Sequence, residues 1–115
     1  MNIQECYKLM GGNLEDTIKR IDNIGLITTI VRSFPRDESF NELKKAYETK
    51  DVELAFRAAH TLKGICLNLG FDQLSDDVCE ITEIFRKKTF DGSEELYKKI
   101  CDKYTLTIEA ISNLD

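Results

Sequence analysis

The chain has one proline, one histidine and no closely spaced pair of cysteines, and each scarcity removes a class of protein. Cys6, Cys66, Cys79 and Cys101 stand far apart with no CxxC among them, so the close ligand pairs of a zinc site are missing. The opening residues Met1-Asn2-Ile3-Gln4-Glu5 lack a basic stretch followed by an apolar one. No secretory leader is therefore expected, and with it no secreted disulfide framework; the thiols are expected to be small, reduced and buried. No apolar run approaches the roughly 20 residues that span a bilayer. Lys and Arg together number 16 against 21 Asp and Glu, a net charge of −5. That leaves no basic stripe to neutralise nucleic-acid phosphates. There is no GxxxxGK[ST] loop, no other glycine-rich nucleotide loop and no kinase signature, so the chain carries no ATP site of its own. A lone histidine cannot build the inward ligand set of a haem or metal helical bundle. Adjacent carboxylates such as Asp76-Asp77 and Glu94-Glu95 point in different directions on a helix and read as a solvated face, not as Mg2+ ligands. The expectation is a cytoplasmic protein that binds no metal, nucleic acid or membrane.

What is present is helical spacing. A hydrophobic content of 42% and a charged content of 32% over 115 residues suit one soluble domain, residues 1–115, with a single core. Ile24, Ile27, Ile30, Val31 and Phe34 share a face that Pro35 stops. Phe40, Leu43 and Tyr47 form the next, and Asp51 is placed to cap the helix after it. Leu74, Val78, Ile81 and Phe85 repeat the pattern, as do Tyr97, Ile100, Tyr104, Ile108 and Ile111, with Asp91 or Ser93 as the start of the last helix. The first twenty residues hold shorter pieces broken at Gly11-Gly12-Asn13. Long amphipathic helices with short connections predict an all-α fold: an up-down antiparallel four-helix bundle with short N-terminal helices packed on it.

The histidine lies in Ala58-Ala59-His60-Thr61-Leu62-Lys63-Gly64-Ile65-Cys66-Leu67-Asn68-Leu69-Gly70. At about 100° per residue, Ala55, Ala58, Ala59, Ile65, Cys66 and Leu69 fall within about 60° of Leu62, a buried stripe. His60 projects about 160° away, and Lys63 and Gly64 flank it one turn on. A glycine inside a helix costs about 1 kcal/mol relative to alanine, and no turn is called for at Gly64; the helix is expected to end only at Gly70. A bare patch beside an exposed imidazole serves something that must approach the ring closely, such as a phosphoryl group and the protein that delivers it.

His60-Thr61-Leu62-Lys63-Gly64 followed by Gly70 resembles the signature of the histidine-containing phosphotransfer (HPt) domain family, and the length and order of the helices match across nearly the whole chain. The resemblance implies a phosphocarrier, not an enzyme, in a two-component phosphorelay: His60 as phosphoacceptor, receiver domains as partners, and a hybrid sensor histidine kinase as a further candidate. It also implies that the Mg2+ and the phosphorylatable aspartate reside on the receiver. The chemistry agrees. A neutral imidazole has one nitrogen with a free lone pair, and Nε2 is the nitrogen a bulky partner reaches more easily. Lys63 can offer a compact counter-charge to the phosphoramidate, and Gly64 gives steric access.

Phe56 and Leu67, at about 120° and 140° on the wheel, are apolar neighbours of His60, and Arg57 and Asn68 lie across the exposed face. These four form a candidate partner-docking surface, the alternative for Phe56 and Leu67 being packing under neighbouring helices. The chain departs from the family at Ile65 and Cys66, where many members have small residues; both fall on the buried stripe, so a change of core packing is expected. It departs again where some members place a glutamine to hold the imidazole: here Glu80-Ile81-Thr82-Glu83 offers only Thr82. Two further readings use the same face: a receiver-binding adaptor that passes no phosphate, and a phosphoacceptor module served by a separate histidine kinase domain.

Overall fold

In the computed structural model, which describes residues 1–115, the chain is all-α, with seven α-helices, one 3-10 turn and no strand. Helix α1 (Ile3–Met10) opens with a capping box, Asn2 accepting from the Glu5 N–H while the Glu5 carboxylate accepts from the Asn2 N–H. Helix α2 (Leu14–Arg20) is capped by Asn13 and α3 (Ile24–Ser33) by Asn23. Pro35 then falls in the 3-10 turn Phe34–Arg36, where a missing N–H does no harm. Helices α4 (Ser39–Thr49), α5 (Val52–Leu69), α6 (Asp72–Arg86) and α7 (Glu94–Ser112) follow.

Side-chain periodicity decides what each helix buries. Leu43 and Tyr47 of α4, Leu62 and Cys66 of α5, Val78 and Ile81 of α6, and Ile100 and Ile111 of α7 join one hydrophobic cluster that also takes in Cys6 and Tyr7 from α1 and Ile27 and Val31 from α3. Ile24, expected on the α3 face, is exposed instead; it sits in the first turn, ahead of the point where α3 meets the core. Helix α4 packs on α5, α5 on α6 and α6 on α7. Two stacked aromatic pairs join α7 to α4: Tyr47 with Tyr97 and Phe40 with Tyr104, each at 3.9 Å between ring centroids. Between α6 and α7, Lys103 Nζ lies 2.6 Å from Asp77 Oδ2 but is aligned on the Gln73 carbonyl at 3.2 Å. The ammonium's charge is the partner of this buried carboxylate oxygen.

The connection from α4 to α5 closes without glycine. Lys50 ends α4 in the left-handed region, φ 58°, and its ammonium sits 4.2 Å from the Tyr47 ring centroid and 4.9 Å from that of Phe90, contacts that offset the backbone strain. Ser93 does precede α7, but its hydroxyl caps nothing. It donates to the Phe90 carbonyl at 2.6 Å, which leaves its oxygen to accept from Tyr47 Oη at 2.8 Å.

The N-terminal helices are fastened to the end of α5. Helix C-termini leave carbonyls without partners, and here α1 and α2 supply them. Leu69 C=O accepts from Tyr7 Oη at 2.6 Å and from Thr17 Oγ1 at 2.8 Å. Asn68 C=O accepts from Arg20 Nε at 3.2 Å, and Gly70 C=O from the Asn13 N–H at 2.7 Å. Gly70 has φ 69°, and a Cβ there would run into Thr17 Oγ1 and the Asn13 carbonyl. Glycine is required at this junction on both counts.

Candidate functional site

The site is the exposed side of α5. Asp51 caps the helix, its Oδ1 accepting from the Leu54 N–H at 3.2 Å, and Gly70 ends it with the Phe71 N–H bonded to the Cys66 carbonyl at 2.9 Å. Ala55, Ala58, Ala59, Leu62, Cys66 and Leu69 are buried, the alanines allowing α4 and α6 to come close. Ile65, expected among them, is only partly buried: its place at the edge of the stripe turns it toward α3, where it borders a groove of about 420 Å³ with Ile30 and Asn68.

His60 is exposed, as are Arg57, Gly64 and Asn68. No atom beyond the helix's own backbone lies within 4 Å of the point where a Gly64 Cβ would sit, so the glycine does not serve packing inside the chain. Leu67 is 49% exposed, on the same open side of α5. Phe56 is not free in the same way. It is half-buried, with its ring centroid 5.8 Å from that of His60 and the Arg86 guanidinium 4.8 Å over its face. Arg86 Nε donates to both oxygens of Glu83, at 3.1 and 3.3 Å, a bond that holds the Glu83 carboxyl below the usual carboxylate range. Lys63 is half-buried, and its charge reaches Glu83 and Cys79 on α6.

Thr82 does not hold the imidazole. It is fully buried, and its hydroxyl donates back to the Val78 carbonyl at 2.6 Å, the usual bond of a threonine inside a helix. Residue spacing within α5 could not have exposed the Glu83, Arg86, Phe56 array, because the register of α6 against α5 sets it. The sequence signal was limited to the i, i+3 spacing of Glu83 and Arg86. A cleft of about 330 Å³ next to this array takes Val52 and Arg57 from α5, Phe85 and Arg86 from the end of α6, and Lys88 just past it.

No three His, Cys, Asp or Glu side chains come close enough to hold a metal ion. The four cysteines are free thiols, Cys6 and Cys66 buried and Cys79 and Cys101 partly so. Burial raises all four thiol pKa values, most strongly that of Cys66, which disfavours thiolate chemistry. Of the chain's imidazole and four thiols, only the imidazole of His60 is exposed.

The family model described as Hpt domain matches residues 36–114, well over half of the chain. The chain belongs to the Hpt domain family. Neither the curated proteins nor the solved structures include a match to it. Domains of this family are phosphocarriers, not enzymes, in two-component phosphorelays, and they work with receiver domains. In this Hpt domain the matched stretch takes in the whole of α4 to α7, while α1, α2 and α3 lie outside it. No helix is long and apolar enough to cross a membrane.

Proposed function

We propose that His60 is the phosphoacceptor of a carrier that takes a phosphoryl group from one receiver aspartate and hands it to another. The observation that carries this reading is the pairing of an exposed imidazole with open space over Gly64 on a helix whose other face is sealed. We read α4 to α7 as an up-down antiparallel bundle with α1 to α3 packed against it, so that α5 presents its free side along its length.

The transfer needs little from the chain beyond placement. The Nε2 lone pair of the neutral ring attacks phosphorus in line with the aspartyl oxygen. The N–P bond forms as the P–O bond of the acyl phosphate breaks, and the aspartate leaves as a carboxylate. The imidazolium formed, with its proton on Nδ1, gives that proton to water. Lys63 answers the charge of the phosphoryl group, and Gly64 lets the receiver's backbone come down beside the ring. Mg2+ belongs to the receiver in this scheme. Leu67, Arg57 and Asn68 are the contact surface around the ring, and the compartment is the cytoplasm.

The test is phosphotransfer from a panel of phosphorylated receiver domains, read by intact mass at neutral or basic pH. The expected result is one acid-labile phosphate on the wild-type chain and none on His60→Gln, with both chains equally helical by circular dichroism. Phosphate retained by His60→Gln would remove the assignment. Receiver binding without transfer across the panel would replace it with a docking role.

A further inference from the structure

The His60 imidazole rests against a ring, not a hydrogen-bonding side chain. Phe56 lies one turn earlier on α5, its centroid 5.8 Å from that of the imidazole and the planes inclined by 45°. Left to itself, a histidine on an exposed helix face keeps two χ1 wells and a broad, roughly two-fold χ2. Several orientations then bring either nitrogen, or neither, toward a partner. A neighbour that occupies one side of the ring removes most of them. Phe56 can do so only if it stays in place, and α6 keeps it there: the Arg86 guanidinium lies over its ring at 4.8 Å, and Glu83 fixes Arg86 through both carboxylate oxygens. Each member of the array restrains the next, from α6 across to α5.

We infer that Phe56 is a positioning residue for His60, held by Arg86 and Glu83, and not part of the surface a receiver contacts. The inference rests on His60 being the phosphoacceptor. A pre-oriented imidazole needs no reorientation inside the encounter complex, so the gain lies in the rate of transfer once the receiver is bound and not in how tightly it binds. A hydrogen-bonding side chain would favour one tautomer, whereas a ring face restrains the imidazole without choosing which nitrogen carries the proton.

The experiment uses the whole chain as wild type, Phe56→Leu, Phe56→Tyr and Arg86→Gln, each checked for helicity. The donor is a receiver domain phosphorylated with acetyl phosphate, and single-turnover transfer is followed over a range of receiver concentrations. Because the chain has one histidine, its imidazole gives a single set of carbon-bound proton resonances, which report the ring current of Phe56 without any phosphate. Phe56→Leu is expected to move those resonances and to lower the saturating transfer rate about three- to tenfold, leaving the half-saturating concentration unchanged. Phe56→Tyr keeps both, and Arg86→Gln gives an intermediate loss of rate. A raised half-saturating concentration at an unchanged saturating rate would make Phe56 a docking residue and overturn the inference. Unmoved histidine resonances in Phe56→Leu would overturn it as well. No transfer to the wild-type chain would remove the phosphoacceptor reading and the role of Phe56 with it, and the resonance shifts would still say whether the two rings touch.

Discussion

Replacing Gly64 separates what is good for the helix from what is good for its use. The residue is helical, exposed and well inside α5, and a Cβ placed on it finds no atom within 4 Å outside the helix's own backbone. The steric term of Gly64→Ala is therefore zero in the isolated chain, and only backbone propensity remains, a gain of about 1 kcal/mol. For a domain of this size that is a rise in Tm of about 4 °C. Gly64→Gln keeps most of the gain, since glutamine is also a good helix former, but it sets a long side chain one turn from His60. A receiver that must seat its aspartyl phosphate there meets that side chain, and we expect transfer to fall at least about tenfold, a barrier increase of about 1.4 kcal/mol. Urea unfolding followed by circular dichroism gives the first quantity, and transfer from a phosphorylated receiver gives the second. The reasoning fails if Gly64→Ala destabilises the chain, which would mean that the glycine serves the fold. It fails equally if Gly64→Gln transfers at the wild-type rate.

Two further expectations concern the junction between α5 and the N-terminal helices. Tyr7→Phe and Thr17→Val each leave Leu69 C=O with one hydroxyl donor, at a cost of about 1 kcal/mol apiece; together they leave a buried carbonyl with none, and the double variant should lose about 1 kcal/mol more than the sum. Additive losses in urea titrations would show that the two hydroxyls do not share that acceptor. Burial pushes the Tyr7 phenol from 10.0 up to about 12. Its contribution to stability is therefore complete below pH 10 and is lost as pH rises from 10 to 12, about 2 to 3 kcal/mol at 1.36 kcal/mol per pH unit. Tyr97 and Tyr104 are raised in the same direction by burial, so Tyr7→Phe should make the alkaline loss of stability shallower without abolishing it. An unchanged slope between pH 10 and 12 would contradict the assignment to Tyr7.

Much of the site could be read from α5 alone, because a helix converts sequence spacing into direction. The exposure of His60 and Gly64, the burial of Ala55, Ala58, Leu62 and Cys66, the cap at Asp51 and the stop at Gly70 all follow from the 3.6-residue period and backbone preferences. The all-α fold followed from the same periodicity. What could not be read depends on how one helix meets another. Phe56 sits on the exposed side of the wheel, yet it is drawn back by Arg86 from α6. Thr82 shares a helix with Glu83, and one step of register turns it into the core. Ile65 and Ile24 are apolar by composition, and neither is sealed, since each lies at the margin of its helix's contact. Lys50 takes a left-handed conformation that composition would give to glycine, and only the nearby Tyr47 and Phe90 rings explain it.

The fastening of α1 and α2 to the end of α5 has a consequence for anyone who would move this domain. The stretch that marks the family runs from residue 36 to residue 114, and a fusion or chimaera cut to those limits would look complete on paper. It would leave behind Tyr7, Thr17 and Arg20, the donors to the last carbonyls of the helix that carries His60. It would also strip α1 from α7, opening a wet, apolar flank on the transplanted piece. The portion that identifies the domain is thus smaller than the portion that must travel with it, and a graft that keeps residues from the capping box at Asn2 onward carries its own lid.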